Sequence, residues 1–265
     1  MGWAMGLVRA LCGVFALLVV GIQASSAWAM VCWPIAQAEP RFMLASLRPE
    51  EVGITFLGHA SFLLESPKGV TIVTDYNGVM RPKDIPDIVT MNNAHITHYT
   101  PNPEPEIKYV LRGWDEGKGP PAWDVGYKDV QIRNVPTNVR DWSGATRENG
   151  NSIFVFSVGD LCIAHLGHLH DLVTDAQVSQ LGQVDILLVP VDGSYTLSQE
   201  DMFAVIEQIK PQLIIPMHYF NQYTLTRFLE RAARTYTVRN SESPSLVLAR
   251  ARLPKKPEIL VLPGQ

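Results

Sequence analysis

Asp185-Ile-Leu-Leu-Val-Pro190 is the stretch that decides the fold, because its apolar run is unbroken by polar residues. A run of this length without alternation is typical of a strand buried on both faces. A helical pattern follows over 198–209, and Leu213-Ile-Ile-Pro-Met217 is a second run of the same kind. Strands that alternate with helices predict an α/β (α+β) protein in which sheets are covered by helices.

The remainder of the chain is rich in short β-type runs. Gly159-Asp160 predicts a hairpin turn, and Thr174 with Gln177 forms a capping-box pattern that opens a short helix ending at Gly182. The stretch 106–150 is rich in Gly, Pro and Trp and shows one clear strand. Further strands are predicted at 54–57, 60–64, 70–74, 87–91, 130–135, 152–158, 161–166, 245–249 and 258–262, and a third helix at 225–234.

The first 29 residues are typical of a secretory signal peptide. Their single charge, Arg9, precedes an apolar run over 10–22, and Ala27-Trp28-Ala29 fits a cleavage site. The run is too short to span a bilayer of ~30 Å comfortably, although an uncleaved N-terminal anchor is the alternative. We predict a signal peptide over 1–29, a tether over 30–50 and a folded domain over 51–265. The protein is then exported, periplasmic or secreted, with no transmembrane span after signal removal.

The charge of the chain argues against one class of partner. The net charge of −4 becomes −5 when residues 1–29 are removed, because they contain one arginine and no acid. A mildly acidic chain without a Lys/Arg run is unsuited to nucleic acid, so we expect a small-molecule substrate. Cys162 is predicted as a buried free thiol, although an oxidising compartment would permit a disulfide with Cys32. The sequence does not indicate the oligomeric state.

The seven histidines are concentrated at the ends of predicted strands. In a covered α/β sheet, ligands gather beyond the carboxyl ends of the strands, so three strand ends of one sheet can direct imidazoles into one cleft. Neutral imidazole is the commonest metal ligand, and three protein ligands with one open position characterise catalytic zinc. The strongest candidate metal ligands are His95, His98, His168 and His218.

The other three histidines have a weaker case. His165 lies within a strand pattern, and His59 lies between two strands, where a structural or supporting role is the better interpretation. His170 is ambiguous, because the adjacent Asp171 would either orient it as a ligand or only solvate it.

Five segments together resemble the metallo-β-lactamase superfamily, in particular its branch of ascorbate-6-phosphate lactonase-like hydrolases. The resemblance covers about residues 52–225 and implies an αββα sandwich, two facing sheets with outer helices and a metal cleft along one edge. It also implies hydrolysis by a metal-activated water. The segments are Ile54-Thr-Phe-Leu-Gly-His-Ala-Ser-Phe-Leu-Leu64, Asn151-Ser-Ile-Phe-Val155, Ile163-Ala-His-Leu-Gly167, Val184-Asp-Ile-Leu-Leu-Val-Pro190 and Ile215-Pro-Met-His-Tyr219.

The metal motif departs from the family pattern. The usual His-x-His-x-Asp-His has Asn93 in place of its first His and Thr97 in place of its Asp, while Asn138 replaces a third His. His168 stands where the family has a bridging Asp, and a neutral side chain offsets less repulsion between cations ~3.5–4 Å apart. We therefore expect one metal rather than two.

That single metal is expected to be held by His98, His168 and His218, with His95 as fourth ligand or near neighbour. A set of histidines suits Zn, Cu, Ni or Fe better than Mg or Ca, and Zn²⁺ is the expected ion.

The expected activity is metal-assisted hydrolysis of an ester, lactone or phosphoester-type small molecule. No general base is evident: Asp75, Asp171 and Asp192 are candidates by position, and each is also a plausible turn or supporting carboxylate. The alternatives are a catalytically inactive periplasmic metal-binding or partner-binding protein on the same scaffold, and redox chemistry at a mononuclear histidine site.

Overall fold

The computed structural model describes residues 47–141 and 143–264. The predicted signal peptide, Cys32 and most of the predicted tether lie outside the described residues. Within them, no helix combines the length and apolar character needed to cross a membrane.

The described chain forms two sheets. The first contains six strands in the order β13-β1-β2-β3-β4-β5, and the second contains eight in the order β12-β14-β11-β10-β9-β8-β7-β6. The strands of the first sheet are β1 (Val52–Gly58), β2 (Ser61–Glu65), β3 (Thr71–Val73), β4 (Ile88–Met91), β5 (Tyr109–Arg112) and β13 (Ser245–Leu248). Those of the second are β6 (Asp124–Tyr127), β7 (Val130–Arg140), β8 (Thr146–Val158), β9 (Leu161–His165), β10 (Ile186–Pro190), β11 (Leu213–Met217), β12 (Thr237–Asn240) and β14 (Glu258–Val261).

Three α-helices and one short 3-10 helix, Arg250–Arg252, complete the described elements. The α-helices are α1 (Asp175–Leu181), α2 (Gln199–Ile209) and α3 (Gln222–Ala232). The capping box of Thr174 and Gln177 is confirmed, as is the end of α1 at Gly182. Helix α3 begins three residues before its predicted start, because the Asn221 side chain accepts the Thr224 peptide N–H and caps it there.

The main core lies between the two facing sheets. It contains apolar side chains from both, among them Phe62 of β2, Phe156 of β8 and Leu188 of β10. The three helices cover the outer face of the second sheet through residues such as Val205 and Phe228. Over the outer face of the first sheet, the described chain supplies loop residues such as Ile107. The predicted α/β class and the two facing sheets are confirmed, and the described helices lie on the outer face of the second sheet.

The prediction of one strand within 106–150 is wrong. The structure adds β5 and β6, extends β7 to Arg140 and begins β8 at Thr146. These segments are polar or short, and β6 is an edge strand, so they lack the apolar alternation on which the prediction depended. The polar edge strand β12 was missed for the same reason. Cys162 is half-buried rather than buried.

Strand direction determines where the loops meet. Strands β9, β10 and β11 are parallel to one another, and so are β3, β4 and β5. The carboxyl ends of three neighbouring strands in each sheet therefore lie at a common edge, where long loops emerge.

Candidate metal centre

Histidines from loops of both sheets converge at this edge. His59 follows β1, and His95 and His98 follow β4, in the first sheet, whereas His168 follows β9 and His218 follows β11, in the second. The expectation that strand ends of one sheet supply every imidazole is therefore wrong, because apolar periodicity identifies a strand but not its sheet. The cleft lies between the two sheets.

The four strongest candidates all lie in one cluster. The Nε2 atoms of His98 and His218 are 3.0 Å apart. The His168 ring centroid lies 4.9, 5.0 and 5.1 Å from those of His95, His98 and His218. Potential ligand atoms of His59, His95, His98 and His218 all lie within 4.8 Å of one another. The structure thus brings together side chains separated by as many as 159 positions, from residue 59 to residue 218.

His168 is the most informative member of the cluster. It is 4% exposed, and neither ring nitrogen has a hydrogen-bond partner among the described residues. Its peptide N–H donates to Asn151 Oδ1 at 2.8 Å, which fixes the backbone. Because a buried polar atom without a partner costs about 1–3 kcal/mol, its persistence requires an explanation.

Two buried carboxylates support the imidazoles from behind. Asp75 Oδ2 lies 2.6 Å from His98 Nδ1, and Asp192 Oδ1 lies 3.1 Å from His218 Nδ1. The first contact is a hydrogen bond, whereas the second is a close contact without hydrogen-bond geometry. Nδ1–H donation to a carboxylate, as in His98, leaves Nε2 as the lone-pair donor, and this pairing is common for metal-bound histidine. Asp75 and Asp192 are 0% and 1% exposed. Their geometry therefore gives them orienting roles, and removes both as general bases in contact with substrate.

Thr97 connects two further imidazoles. Its hydroxyl lies 3.0 Å from His59 Nε2 and 2.7 Å from His95 Nδ1. His59, expected to be a supporting residue, has its ring beside His218 with centroids 4.1 Å apart. The position that the family pattern gives to Asp is thus occupied by a neutral group that links His59 to His95.

The remaining candidates lie outside the cluster. His165 is hydrogen-bonded to the Ala60 carbonyl at 2.8 Å and accepts the Gly167 N–H, which is a structural role. His170 Nε2 accepts from Arg140 Nε at 3.0 Å, and Asn138 donates to Asp171 at 3.0 Å. These last contacts form a separate network near the surface. Asn93 donates its peptide N–H to the Gly150 carbonyl.

Sequence reasoning missed the amides that hold this arrangement. Asn92 Nδ2 donates to Asp75 Oδ1 at 2.9 Å, and Asn92 Oδ1 accepts the Ser152 N–H at 2.7 Å. Asn151 donates to the Leu166 carbonyl and accepts from His168. Their one signal in the sequence is an amide directly beside an apolar strand, which is common elsewhere.

Burial keeps the imidazoles neutral. Desolvation, with the neighbouring histidines, lowers the pKa of His59 to about 3 and of His95 to about 4. The same causes lower the pKa of His168 to about 2 and that of His98 well below its ordinary value. Burial raises the pKa of Asp75, whereas the contact with His218 and hydrogen bonds from the 194–196 loop lower that of Asp192 against the effect of desolvation. Neutral imidazole is the form that binds metal.

We expect the metal-free protein to lose stability steeply in weak acid. The unfolded chain protonates its imidazoles near pH 6.5, whereas the folded cluster stays neutral because its pKa values are lowered. The raised pKa of Asp75 acts in the opposite direction, because the folded state then holds a proton that the unfolded carboxyl releases. Several histidines with lowered pKa values outnumber this one carboxyl, so the unfolded state binds more protons below about pH 6.5, and the free energy of unfolding falls as the pH falls.

Each buried histidine contributes up to about 1.4 kcal/mol per pH unit in this range. Urea unfolding in the presence of a chelator, at pH 7.5 and 5.5, measures the difference. Equal stability at the two values would contradict neutral imidazoles in the folded state.

The packing around Gly167 leaves no room for a side chain. Its φ is +60°, and an added Cβ would lie 2.4 Å from both Asn151 Oδ1 and Asn92 Nδ2. We expect Gly167→Ala to destabilise the fold by about 1–3 kcal/mol and to displace His168. Gly69→Ala is the matched control, because its φ is +70° and nothing lies within 4 Å of the added atom. Urea unfolding of both variants should show the larger loss for Gly167→Ala, and equal losses would exclude the crowding effect.

The donor set fits a transition metal. Three neighbouring imidazoles, one hydrogen-bonded to Asp75, one in contact with Asp192 and one with both nitrogens unpartnered, match the preference of Zn²⁺ for nitrogen ligands. His59, His98 and His218 adjoin tight turns, and both His59 and His218 have positive φ, at 50° and 54°. Such backbone conformations cost energy and cluster at functional sites.

Comparison with known proteins agrees with this geometry. Residues 53–218 match the family model described as the beta-lactamase superfamily domain. The chain belongs to this family. The match begins in β1 and ends on His218, so it includes every histidine of the cluster.

Curated relatives extend the comparison. A UPF0173 metal-dependent hydrolase of Methanosarcina mazei is 25% identical over 192 residues, covering 64% of this chain and 84% of the relative. Another from Thermoplasma acidophilum is 27% identical over 202 residues, covering 67% and 87%.

Solved structures share the fold. A Thermotoga maritima protein described as a Zn-dependent hydrolase of the metallo-beta-lactamase superfamily aligns with a TM-score of 0.57 and 29% identity, covering 80% of this chain and 98% of that one. Igni18, a metallo hydrolase of Ignicoccus hospitalis, aligns with a TM-score of 0.56 and 19% identity, covering 75% and 98%. The second likeness concerns the fold alone.

Proposed function

We propose that this protein is a metal-dependent hydrolase with one Zn²⁺ held by His98, His168 and His218. The observation that carries the proposal is the burial of His168 with two unpartnered nitrogens beside two facing Nε2 atoms. A metal ligand explains why such a residue is tolerated. The descriptions of the Methanosarcina and Thermotoga relatives support the same activity.

In this proposal the histidines bind the metal, and the carboxylates beside them orient the imidazole rings. When bound, Zn²⁺ lowers the pKa of a water from 15.7 toward ~7 and polarises a carbonyl or phosphoryl oxygen. Asp75 fixes the ring orientation of His98 by a hydrogen bond, and Asp192 lies in contact with His218 Nδ1. His95 borders a cavity of about 280 Å³ in which a substrate has access to the cluster.

The cavity suggests how a proton leaves the water. Among the described residues that line it, Asp141 is the one carboxylate, and its Oδ1 accepts from Ser143 and the Ala145 N–H. We therefore infer that, with a metal bound, the proton of the water would pass to solvent through the open cavity rather than to a carboxylate base. Thr97, in the position that the family pattern gives to Asp, supports this inference.

The substrate is proposed to be an ester, lactone or phosphoester-type small molecule, the lactone by resemblance to the ascorbate-6-phosphate lactonase branch. The experiment measures metal in the purified mature protein by mass spectrometry, together with turnover of 4-nitrophenyl acetate, a γ-lactone and bis(4-nitrophenyl) phosphate. We expect about one zinc per chain, and turnover that a chelator removes and zinc restores. Metal-free protein after purification without chelator would overturn the proposal.

A metal-binding or partner-binding role without catalysis is the second candidate. It is favoured by the replacement of acidic ligand positions by Thr97 and His168, since a bridging carboxylate serves two-metal hydrolysis. One zinc per chain with no turnover across the panel would support this role instead.

Export is proposed from the predicted signal peptide. N-terminal sequencing of protein from the periplasm of a Gram-negative expression host should find Met30 at the start, after cleavage behind Ala29. Recovery of the intact chain in the cytoplasm would contradict it.

A further inference from the structure

The cavity beside the histidine cluster carries two arginines. Arg140 and Arg147 line it together with His95 and His168. They lie on the adjoining strands β7 and β8, where Arg140 pairs with Thr146 and Val139 pairs with Arg147. Both arginines are exposed, and they project from an otherwise acidic chain.

These guanidinium groups are available to a ligand. Arg140 donates Nε to the neutral His170, and no other hydrogen bond or ion pair involves its side chain among the described residues. Arg147 has no such contact there. Asp141, the carboxylate of the cavity, is engaged by the turn at 143–145, so the lining carries a net positive charge of one. Guanidinium groups bind oxyanions through paired N–H donors.

An apolar rim borders the same edge. The large hydrophobic side chains that are exposed in residues 47–141 and 143–264 lie in loops that follow strands or in the first turn of α3, and Ile85 adjoins the amino end of the next strand, β4. We define the apolar rim as Val79, Ile96, Tyr195, Phe220 and Tyr223. Exposed apolar residues are ordinary when scattered, but their concentration at one functional edge marks a binding surface.

Contacts connect the rim to the cluster. The Phe220 ring lies 5.4 Å from that of His218 and 5.4 Å from that of Tyr195, which also lines the cavity. Ile96 stands between His95 and Thr97 and is 75% exposed. The loop that contains Val79 contacts the loop that contains His95 and His98, because Asn77 Nδ2 donates to the Thr97 carbonyl at 2.9 Å.

From these two observations we infer that the site takes an anionic amphiphile, a phosphate-type oxyanion joined to a hydrocarbon chain. Arg140 and Arg147 bind the oxyanion, and the apolar rim removes part of the chain from water. This inference rests on the proposed function, whose substrate class it names. A wholly polar substrate would leave the hydrophobic side chains of the rim exposed to water, so the rim favours a ligand with a hydrocarbon part.

The test uses three probes that stay monomeric at the concentrations needed, namely ethyl phosphate, octyl phosphate and 1-octanol. Isothermal titration calorimetry of the purified protein measures their affinities. We expect octyl phosphate to bind at least about tenfold more tightly than ethyl phosphate, since each methylene removed from water contributes roughly fourfold. It should also bind at least about tenfold more tightly than 1-octanol, which lacks the charge.

Two variants measure separately how much the oxyanion and the hydrocarbon chain contribute to affinity. Arg147→Gln should weaken both phosphates by about tenfold, whereas Phe220→Ser should weaken octyl phosphate and leave ethyl phosphate unchanged. Arg239→Gln is the matched control, because it removes one positive charge from the edge strand β12, where Arg239 pairs with Glu258. It should alter neither affinity.

The result decides this inference independently of the proposed hydrolysis. Equal affinity for ethyl and octyl phosphate, or wild-type affinity of Arg147→Gln for both, would overturn it even if zinc and turnover are present. A preference for octyl phosphate that both variants reduce as described, in a protein without zinc or turnover, would retain the inference and overturn the proposed function.

Discussion

Replacement of His168 by alanine is expected to reduce bound zinc to less than about a tenth of an equivalent and hydrolysis by on the order of 10³-fold or more. The reason is that the proposed site loses one of its three protein donors and keeps the Nε2 atoms of His98 and His218, 3.0 Å apart. Retention of zinc by the variant would instead assign the metal to His59, His95, His98 and His218, whose potential ligand atoms lie within 4.8 Å of one another. Metal analysis after dialysis against micromolar zinc, with turnover on the best substrate of the panel, measures both effects.

The stability of the same variant separates a ligand from a packing residue. Because the ring nitrogens of His168 have no partner among the described residues, its removal in the metal-free protein breaks no hydrogen bond of the ring. We expect the metal-free variant to unfold in urea within about 1–2 kcal/mol of the wild type. Zinc should then stabilise the wild type, by mass action, and leave the variant unchanged.

His170→Gln is the control for zinc content. It alters a histidine of the same loop whose Nε2 is bonded to Arg140 instead of facing the cluster. This variant should keep a full equivalent of zinc. A full equivalent in His168→Ala, or its loss in His170→Gln, would remove His168 from the proposed ligand set.

The elements predicted most accurately are those whose local chemistry agrees with their packing. The buried runs of β10 and β11 follow from apolar composition alone, and Thr174 caps α1 because its hydroxyl accepts a nearby N–H. In each case a few adjacent residues determine the structure. The polar ends of β7 and β8 are extended because they pair with each other, and that pairing leaves no periodic signal.

The sequence predicted the location of the candidate site but not all of its members. Histidines at strand ends indicated a common edge, because parallel strands place their loops together. The sequence did not indicate that the edge belongs to two sheets, nor that His59 would reach the cluster. His59 follows Gly58, whose φ is +120°, and this turn redirects the chain between β1 and β2. Such tertiary contacts depend on sheet packing, which no local pattern encodes.

Asp75→Asn is expected to weaken zinc binding by about 10–100-fold, although it changes no metal ligand. Asp75 accepts from His98 through one oxygen and from Asn92 through the other. The introduced amide has one oxygen, which accepts a hydrogen bond, and one N–H₂ group, which donates. Its N–H₂ group would therefore face either the Asn92 N–H₂ or the His98 N–H, and a buried donor would be left unpaired. The backbone should be unaffected, since asparagine tolerates the φ of 42° found here.

A double variant that exchanges the carboxylate and the amide between positions 75 and 92 tests this reasoning. In Asp75→Asn combined with Asn92→Asp, the introduced amide N–H₂ can donate to the introduced carboxylate, while its oxygen accepts from His98. The new carboxylate retains an oxygen for the Ser152 N–H, which Asn92 Oδ1 accepts in the wild type. We expect the double variant to recover zinc affinity to within about tenfold of the wild type, whereas Asn92→Asp alone should be destabilised because two buried carboxylates face each other.

Competition with a chromophoric zinc chelator measures all four affinities. If Asp75→Asn bound zinc as tightly as the wild type, the orientation of His98 would not depend on its carboxylate. If the double variant were no better than the worse single variant, the negative charge at position 75 itself would be required. The hydrogen-bond direction through Asn92 would then be secondary to the electrostatic attraction between this carboxylate and the cation beyond His98.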